Sequence, residues 1–188
     1  TGFDWQVAAP VLLVFCANHQ RMHDCHALAD IPMVNNHLDG FFNASVDAGI
    51  ALSAFVTAAE RVGLGCCPLS VIRNRIAEVS DLLGLPERVI PVAGLAVGWP
   101  AREGRIAPRM SLAATVHENR FATPDARMEG IREYDRRRAG VHSFNQRDPG
   151  RFGETPDYGW SDEKARQYAD TQRGDWGDFV RAKGFRLE

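Results

Sequence analysis

Two long runs of apolar residues dominate the hydrophobic pattern of the chain and predict its central strands. Residues 10–17 (PVLLVFCA) and 88–99 (RVIPVAGLAVGW) are almost free of polar side chains, which is typical of strands buried on both faces of a sheet. Shorter apolar stretches predict two further strands, at 64–69 and 111–117. The intervening residues 18–36 are polar and rich in His and Asn, so they predict a loop or an irregular crossing.

A long helix is predicted over residues 37–62, which contain no proline. Small and apolar side chains cover almost its whole circumference between 44 and 59. We therefore expect this helix to be buried, either at the centre of the domain or against a second subunit. Gly63 follows at the position where helices commonly end.

Further helices are predicted downstream. Apolar residues recur at helical spacing over 71–83, residues 122–140 predict a charged amphipathic helix, and residues 160–184 predict one or two short helices. The chain becomes more polar and charged after the last predicted strand. We therefore divide it into a core, residues 1–121, and a C-terminal helical extension, residues 122–188.

The composition of the chain mainly excludes certain classes of protein. With 188 residues, 45% apolar residues and a net charge of -2, the chain is composed like an ordinary globular domain rather than a bulk binder of nucleic acid. Its longest apolar run, residues 8–17, is about half of the roughly 20 residues of a membrane helix, so no membrane span is predicted. Four cysteines do not form the dense framework of a small secreted domain, and no export signal is visible at Thr1. A cytoplasmic location is therefore expected.

Two groups of residues carry side chains suited to metal or thiol chemistry. Five possible soft-metal ligands stand close together, namely Cys16, His19, His23, Cys25 and His26. Only His19 and His23 have i, i+4 spacing, and no second pair follows to complete a set of four, so no metal site is predicted. Adjacent Cys66 and Cys67 are interpreted as small buried thiols, since a catalytic thiolate requires a nearby base or a helix N-terminus.

The segment 64–76 (LGCCPLSVIRNRI) predicts a strand, a turn and a helix. Backbone N–H groups at such a turn can bind an anion or an acceptor edge, although a turn that serves only packing has the same pattern. Ser70 lacks the flanking glycines of a nucleophile elbow, and neither the P-loop pattern nor GxGxxG occurs in the chain. A serine hydrolase, an ATPase and a Rossmann dehydrogenase are therefore not predicted.

Several sequence blocks, taken in their order and spacing, resemble those of one enzyme family. They are AP and VFCA at 9–17, AAERVGLG at 58–65, IRN at 72–74, LLGLP at 82–86, GLAVGWP at 94–100, PR at 108–109 and VHEN at 116–119. Together they resemble the nitroreductase family, and within it the branch of NADPH-linked flavin reductases and oxygen-insensitive nitroreductases.

The resemblance implies a fold, an assembly and an activity. The fold is α+β, with a mostly antiparallel central sheet flanked by helices, and the long helix lies buried at the interface of a homodimer. FMN is held at that interface, is reduced by NAD(P)H and passes electrons to a small-molecule acceptor such as a nitroaromatic, a quinone or a flavin. The N-terminal helices of the family, which carry a phosphate clamp, would precede Thr1.

The resemblance also assigns cofactor-binding residues. The turn formed by Pro68, Leu69, Ser70 and Val71 would lay backbone amides along the isoalloxazine ring. Arg109 matches the arginine of a Lys-x-Arg motif that contacts the FMN phosphate or ring. Hydride transfer by a flavin needs no side-chain acid or base, so no catalytic residue is predicted. The alternative is a diverged, non-catalytic relative that acts as a dimeric assembly or binding module.

The arginine-rich stretch 132–138 is the candidate for nicotinamide selectivity. Arginine can bind the 2′-phosphate of NADPH bidentately, and Arg138 is the residue assigned to this substrate contact. The alternative is that these arginines form exposed pairs with Glu129, Glu133 and Asp135 along one helix.

Overall fold

The long apolar segments form one antiparallel sheet in the computed structural model, which describes residues 8–104, 106–139 and 145–188. The strands are β1 (Val11–Asn18), β2 (Gly65–Leu69) and β3 (Val89–Gly98), and their order is β1-β3-β2. Both pairings are antiparallel, as predicted.

Burial differs between the two long strands because only β3 lies between two others. Ile90 and Leu95 of β3 are completely buried. Val11 and Leu12 at the start of β1 are 46% and 54% exposed, so the predicted burial of β1 on both faces is wrong over its first residues. An edge strand is paired on one side only, which leaves its end open to solvent.

The first helix, α1 (Gln20–Ala29), occupies a segment for which the sequence predicted a loop, and that prediction is wrong. The helix has no fully buried residue, so its sequence lacks the apolar periodicity that would have indicated it. It contains a hydrogen bond from Gln20 Nε2 to Asp24 Oδ1 at 2.8 Å. It ends at Asp30, which adopts a left-handed conformation with φ of 53°.

The long helix α2 (Leu38–Arg61) is confirmed, and Gly63 follows it with φ of +86°. The side chain of its N-cap residue, His37, accepts a hydrogen bond from the N–H of Asp39. Small residues form its buried face, namely Gly40, Ala44, Ala48 and Ala59. Much of the remaining apolar surface is exposed within this one chain, including Ile50 at 62%. The helix is thus not buried around its whole circumference within this one chain.

By length and composition alone, α2 is also apolar enough to cross a membrane, with a mean hydropathy of 1.4 over its most apolar window. This contradicts the expectation from run length that no such segment exists. A helix in the core of a soluble protein can be equally long and apolar. Here one face of α2 packs against the sheet through its buried alanines.

The helix predicted over 71–83 is confirmed with a tighter first turn. Val71–Arg75 is a 3-10 turn, which continues into α3 (Ile76–Leu82). Gly84 follows with φ of +58°, a conformation that favours glycine and ends the helix.

The remaining helices are short apart from one. They are α4 (Leu112–Thr115), α5 (Pro124–Ala139), α6 (Pro149–Phe152), α7 (Trp160–Gln167) and α8 (Trp176–Ala182). The strand predicted at 111–117 is wrong, since its centre is α4. Ala114 packs so closely against α5 that a Cβ at Gly130 would come within 2.8 Å of the Ala114 Cβ. The predicted end of α5 at Gly140 lies outside the described residues.

The chain divides into two compact units. The first unit comprises Thr1–Glu103 and Arg173–Glu188, and the second comprises Gly104–Gln172. The C-terminal segment returns to the first unit because Val180 and Phe185 enter the same core as Ala17 and Ile90. The boundary at residue 121 expected from the sequence differs from this division, since a polarity change along the chain carries no information on which core a later segment joins.

The N-cap residue His19, which is buried, and the α1 residue His23, which is half-buried, form a pair of contacting rings in the first unit. His19 is 6% exposed, and its ring centroid lies 5.3 Å from that of His23. Among the described residues, neither Nε2 atom has a hydrogen-bond partner. Burial lowers the pKa of both imidazoles, and the nearby Arg88 guanidinium lowers it further.

We expect the free energy of unfolding to fall as the pH is lowered from 7 through about 6.5, the pKa of an unperturbed histidine. The unfolded chain binds protons at these rings more readily than the folded chain, so stability present above the unfolded pKa is lost on acidification. Thermal unfolding followed across pH 5–8 should show this slope, and His19→Phe should reduce it. The exposed N-cap variant His37→Asn is the control. An equal slope in His19→Phe would contradict the assignment.

Candidate active site

The end of β2 and the turn that follows it have one buried position flanked by two exposed ones. Leu69 is 6% exposed and pairs with Gly94 of β3, whereas Pro68 and Ser70 are exposed. Val71 is half-buried and begins the 3-10 turn. Within the described residues, β2 is an edge strand, and no other strand pairs with its outer edge.

Contacts from several elements hold this turn in place. The Ile72 side chain packs on β3 so tightly that a Cβ at Gly94 would lie 2.9 Å from its Cγ2. From the C-terminal segment, Arg173 Nε donates to Asn74 Oδ1 at 2.8 Å, and Arg173 Nη2 lies 3.5 Å from Ser70 Oγ. The turn therefore presents a defined backbone conformation at the open edge of the sheet.

In the second unit, several arginines lie around the buried ring of Tyr134. The Tyr134 hydroxyl donates to the Pro108 carbonyl oxygen at 3.1 Å, and it accepts from Arg138 Nη1 at 3.0 Å. Next to it, Arg137 Nη2 donates to the Arg109 carbonyl oxygen at 2.6 Å. The fold of this unit thus brings the loop that carries Arg109 against the C-terminal half of α5.

Arg109 itself has an exposed side chain. Among the residues that the structure describes, its guanidinium has no hydrogen bond and no ion pair, since its contact with Arg137 uses only the backbone carbonyl. By contrast, Arg137 is paired with Glu133 at 2.6 Å. Arg109 is therefore available to bind an anion.

The exposed-pair interpretation of the arginine-rich helix holds for three of its members. Arg132 and Arg136 lie 3.6 and 2.8 Å from Glu129, and Arg137 pairs with Glu133. Arg138 differs from them because it is half-buried, bonds Tyr134 Oη and lies over the Tyr134 ring, 5.8 Å from its centroid.

Both halves of the chain match models of one protein family. The model described as Nitroreductase family matches residues 3–99, and the model of the C-terminal domain of that family matches residues 107–188. The chain belongs to the nitroreductase family. The recognition made from the sequence blocks is confirmed.

Similarity to two curated proteins and to one solved structure agrees with this assignment to the family. The chain is 33% identical over its whole length to FMN reductase (NAD(P)H) of Bacillus subtilis, of which it covers 74%. It is 35% identical over 72% of its length to the oxygen-insensitive NADPH nitroreductase of Salmonella typhimurium, of which it covers 54%. The structure of B. megaterium NfrA2 superposes with a TM-score of 0.82 at 32% identity, over 96% of this chain and 70% of that chain. The predicted α+β nitroreductase fold is confirmed.

Three thiols of this nitroreductase-family chain have a raised pKa, which lowers the fraction present as the nucleophilic thiolate. Burial raises the pKa of the Cys16 and Cys67 thiols, and burial together with the nearby Glu60 carboxylate raises that of Cys66. Within the described part of the chain, no group of three or more His, Cys, Asp or Glu side chains could hold a metal ion.

The residues assigned to cofactor binding, from the family resemblance or, for Arg138, from the arginine-rich stretch, fall into the two units. Pro68, Leu69, Ser70 and Val71 lie in the first unit, and Arg109 and Arg138 lie in the second, where α5 brings them close together in the chain of contacts around Tyr134. Their contacts with a cofactor stay predictions. Sequence reasoning assigned no role to Arg73 and Arg173, which hold the turn. Arg173 stands about a hundred residues from Ser70, and no local pattern indicates so distant a contact.

Proposed function

We propose that this chain is an FMN-dependent oxidoreductase that transfers electrons from NAD(P)H to a small-molecule acceptor such as a nitroaromatic, a quinone or a flavin. The names of its relatives, an FMN reductase and an NADPH nitroreductase, support this activity. The observation that carries it is the turn after β2, whose exposed positions and tightly held backbone suit a flat ring laid along a sheet edge.

Each unit, taken by itself, offers one feature that suits part of an FMN molecule. In the first unit, the edge at Pro68, Ser70 and Val71 can offer backbone groups to an isoalloxazine ring. In the second unit, the exposed guanidinium of Arg109 can bind a phosphate. When bound, FMN supplies the redox chemistry by accepting a hydride and passing electrons on. The protein's part is to bind and orient the ring and to neutralise charge, and no side-chain acid or base is assigned.

The visible absorption spectrum of the purified protein tests this function. After incubation with FMN and removal of the unbound excess, we expect a flavin band that NADPH bleaches under anaerobic conditions and that a quinone or nitroaromatic restores. A protein that retains no flavin would contradict the proposal and favour a non-catalytic, dimeric relative.

We further propose that the chain forms a homodimer through α2. An open depression of about 700 Å³ is lined by side chains of α2 that include Ile50, Ala54 and Ala58, and by its C-cap residue Val62. Larger apolar side chains of α2 are also exposed in this one chain, among them Phe42 at 60% and Val46 at 41%, and contiguous exposed apolar surface marks an interaction site in soluble proteins. A second copy of α2 offers the same surface, as a two-fold interface requires. Four cysteines without a disulfide are compatible with a cytoplasmic dimer.

Ala54→Glu should shift this dimer towards monomer and raise its dissociation constant at least about tenfold, which corresponds to about 1.4 kcal/mol. The physical reason is that a carboxylate buried without a partner loses its hydration. Sedimentation equilibrium of wild type and variant measures the effect. The control is Leu82→Glu, because Leu82 is already 85% exposed on α3. A wild type that sediments as a monomer at micromolar concentration would exclude the interface.

We propose that Arg138 favours NADPH over NADH by about tenfold in kcat/KM, since one charge-assisted bond to the 2′-phosphate accounts for such a ratio. Its bond to Tyr134 holds the guanidinium in place at the end of α5. Arg138→Ala should reduce the ratio, whereas Arg136→Ala, which removes a pair with Glu129, should not. Steady-state kinetics with both donors decide it, and equal kcat/KM for both in the wild type would refute the proposal.

A further inference from the structure

A bulge in the central strand lies next to the turn after β2. In the pairing of β1 with β3, Phe15 stands opposite Ala93 and Cys16 stands opposite Pro91. Val92 therefore has no residue opposite it in β1, and the pairing of β2 with β3 ends at Gly94, before Val92 is reached. A bulged residue of this kind is left out of the strand ladder, so its backbone groups need partners elsewhere.

Arg73 supplies a partner for the bulged residue. One of its guanidinium nitrogens, Nη1, donates a hydrogen bond to the Val92 carbonyl oxygen. The same guanidinium lies over the indole ring of Trp176 in α8, 5.6 Å from the ring centroid. The half-buried side chain of Arg73 thus connects the 3-10 turn with the bulge in β3 and with the C-terminal helix of the first unit.

The backbone of Arg73 also forms a hydrogen bond within the turn. Its N–H donates to the Ser70 carbonyl oxygen at 3.1 Å and so closes the turn that contains Val71. The next residue towards the N-terminus, Ile72, is pressed against Gly94. A displacement of Arg73 would therefore be transmitted to Ser70 and Val71, which belong to the open edge of the site.

We propose that Arg73 is a positioning residue, which fixes the turn Pro68–Val71 against the bulge of β3 and thereby sets the backbone conformation presented to the flavin ring. This inference rests on the proposed function where it concerns the flavin. Its structural half, that the guanidinium holds the turn, stands on the contacts to Val92 and Trp176 alone.

The test uses Arg73→Met, which keeps an unbranched stem and removes the donors and the charge. Arg73→Lys is the conservative variant, because a lysine retains a cation and a donor without the planar fork. Arg75→Ala is the matched control, since Arg75 belongs to the same 3-10 turn but has a side chain 77% exposed and paired with Glu78. All variants are made in the full chain.

Amide hydrogen exchange of the flavin-free protein is the first measurement. In Arg73→Met, exchange at residues 69–73 should rise at least tenfold while exchange in α2 and β1 stays at wild-type rates, and Arg73→Lys should lie between the two. Arg75→Ala should match the wild type. Unchanged exchange at the turn would overturn the inference, and so would an equal rise throughout the first unit, which would show a merely structural role.

The visible spectrum and midpoint potential of bound FMN are the second measurement. We expect Arg73→Met to shift both and to weaken FMN about tenfold, with partial recovery in Arg73→Lys. A wild type that binds no FMN would overturn the proposed function, while the exchange measurement would still decide whether Arg73 holds the turn. If the turn loosens but the spectrum, potential and affinity of FMN keep their wild-type values, the positioning role towards the flavin is refuted.

Discussion

Replacing Arg109 by alanine is expected to weaken FMN binding by roughly 10- to 150-fold. A charge-assisted hydrogen bond from a guanidinium to a phosphate contributes about 1.5–3 kcal/mol, and each 1.4 kcal/mol corresponds to about a factor of ten in affinity. The Arg109 side chain is exposed, and no described residue competes for its donors, so the full contact is available to the phosphate.

Fluorescence titration of the flavin-free protein with FMN measures this effect. Arg132→Ala serves as the control, because Arg132 is an exposed arginine of the same unit that is paired with Glu129. The same affinity for Arg109→Ala and wild type would refute the phosphate contact. Because the two units are tested by separate variants, this result leaves the assignment of the turn in the first unit untouched.

Gly94→Val is expected to lower the free energy of unfolding by about 1–3 kcal/mol, the usual cost of overfilling a packed core. A Cβ at this position would lie 2.9 Å from Ile72 Cγ2 and 3.4 Å from Leu69 Cβ, so the turn would have to move away from β3. Since the displaced residues adjoin the open edge of the site, the variant should also bind FMN more weakly than the wild type.

Urea unfolding at equilibrium checks the loss of stability. Gly49→Ala is the control, because nothing lies within 4 Å of a Cβ at Gly49 in α2, and alanine is the better helix former by up to about 1 kcal/mol. This control should be as stable as the wild type or more stable. A Gly94→Val variant with wild-type stability would show that the turn is not packed on β3 as described.

The strand β3 and the helix α2 were predicted well from the sequence, each from one clear hydrophobic pattern. The apolar run at 88–99 became the central strand β3, which has buried residues on both faces, and a strand covered on both faces must be apolar on both. The alanine-rich segment before Gly63 became α2, whose bounds differ from the expected ones by a single residue at each end. In both cases the local preference and the burial favour the same structure.

Two elements were mispredicted because the sequence signal and the packing disagree. Helix α1 has no fully buried residue, so a polar, His-rich segment was taken for a loop. The stretch around Ala114 has the composition of a strand but lies against Gly130 of α5, and among the described residues no strand of the sheet pairs with it. The preference of these residues for a strand is easily outweighed by their tertiary contacts.

The sequence by itself indicated the long helix through its small and apolar residues, and it indicated the family through sequence blocks in a fixed order and spacing. The antiparallel α+β fold and the assignment of the turn and of Arg109 followed from the family resemblance. Only the tertiary structure decided what holds the turn. The bulge at Val92, the guanidinium of Arg73 beneath it and the return of Trp176 from the C-terminal segment join residues about 20 to 100 positions apart. Such contacts arise from the packing of whole elements, and the spacing of residues along a chain carries no record of them.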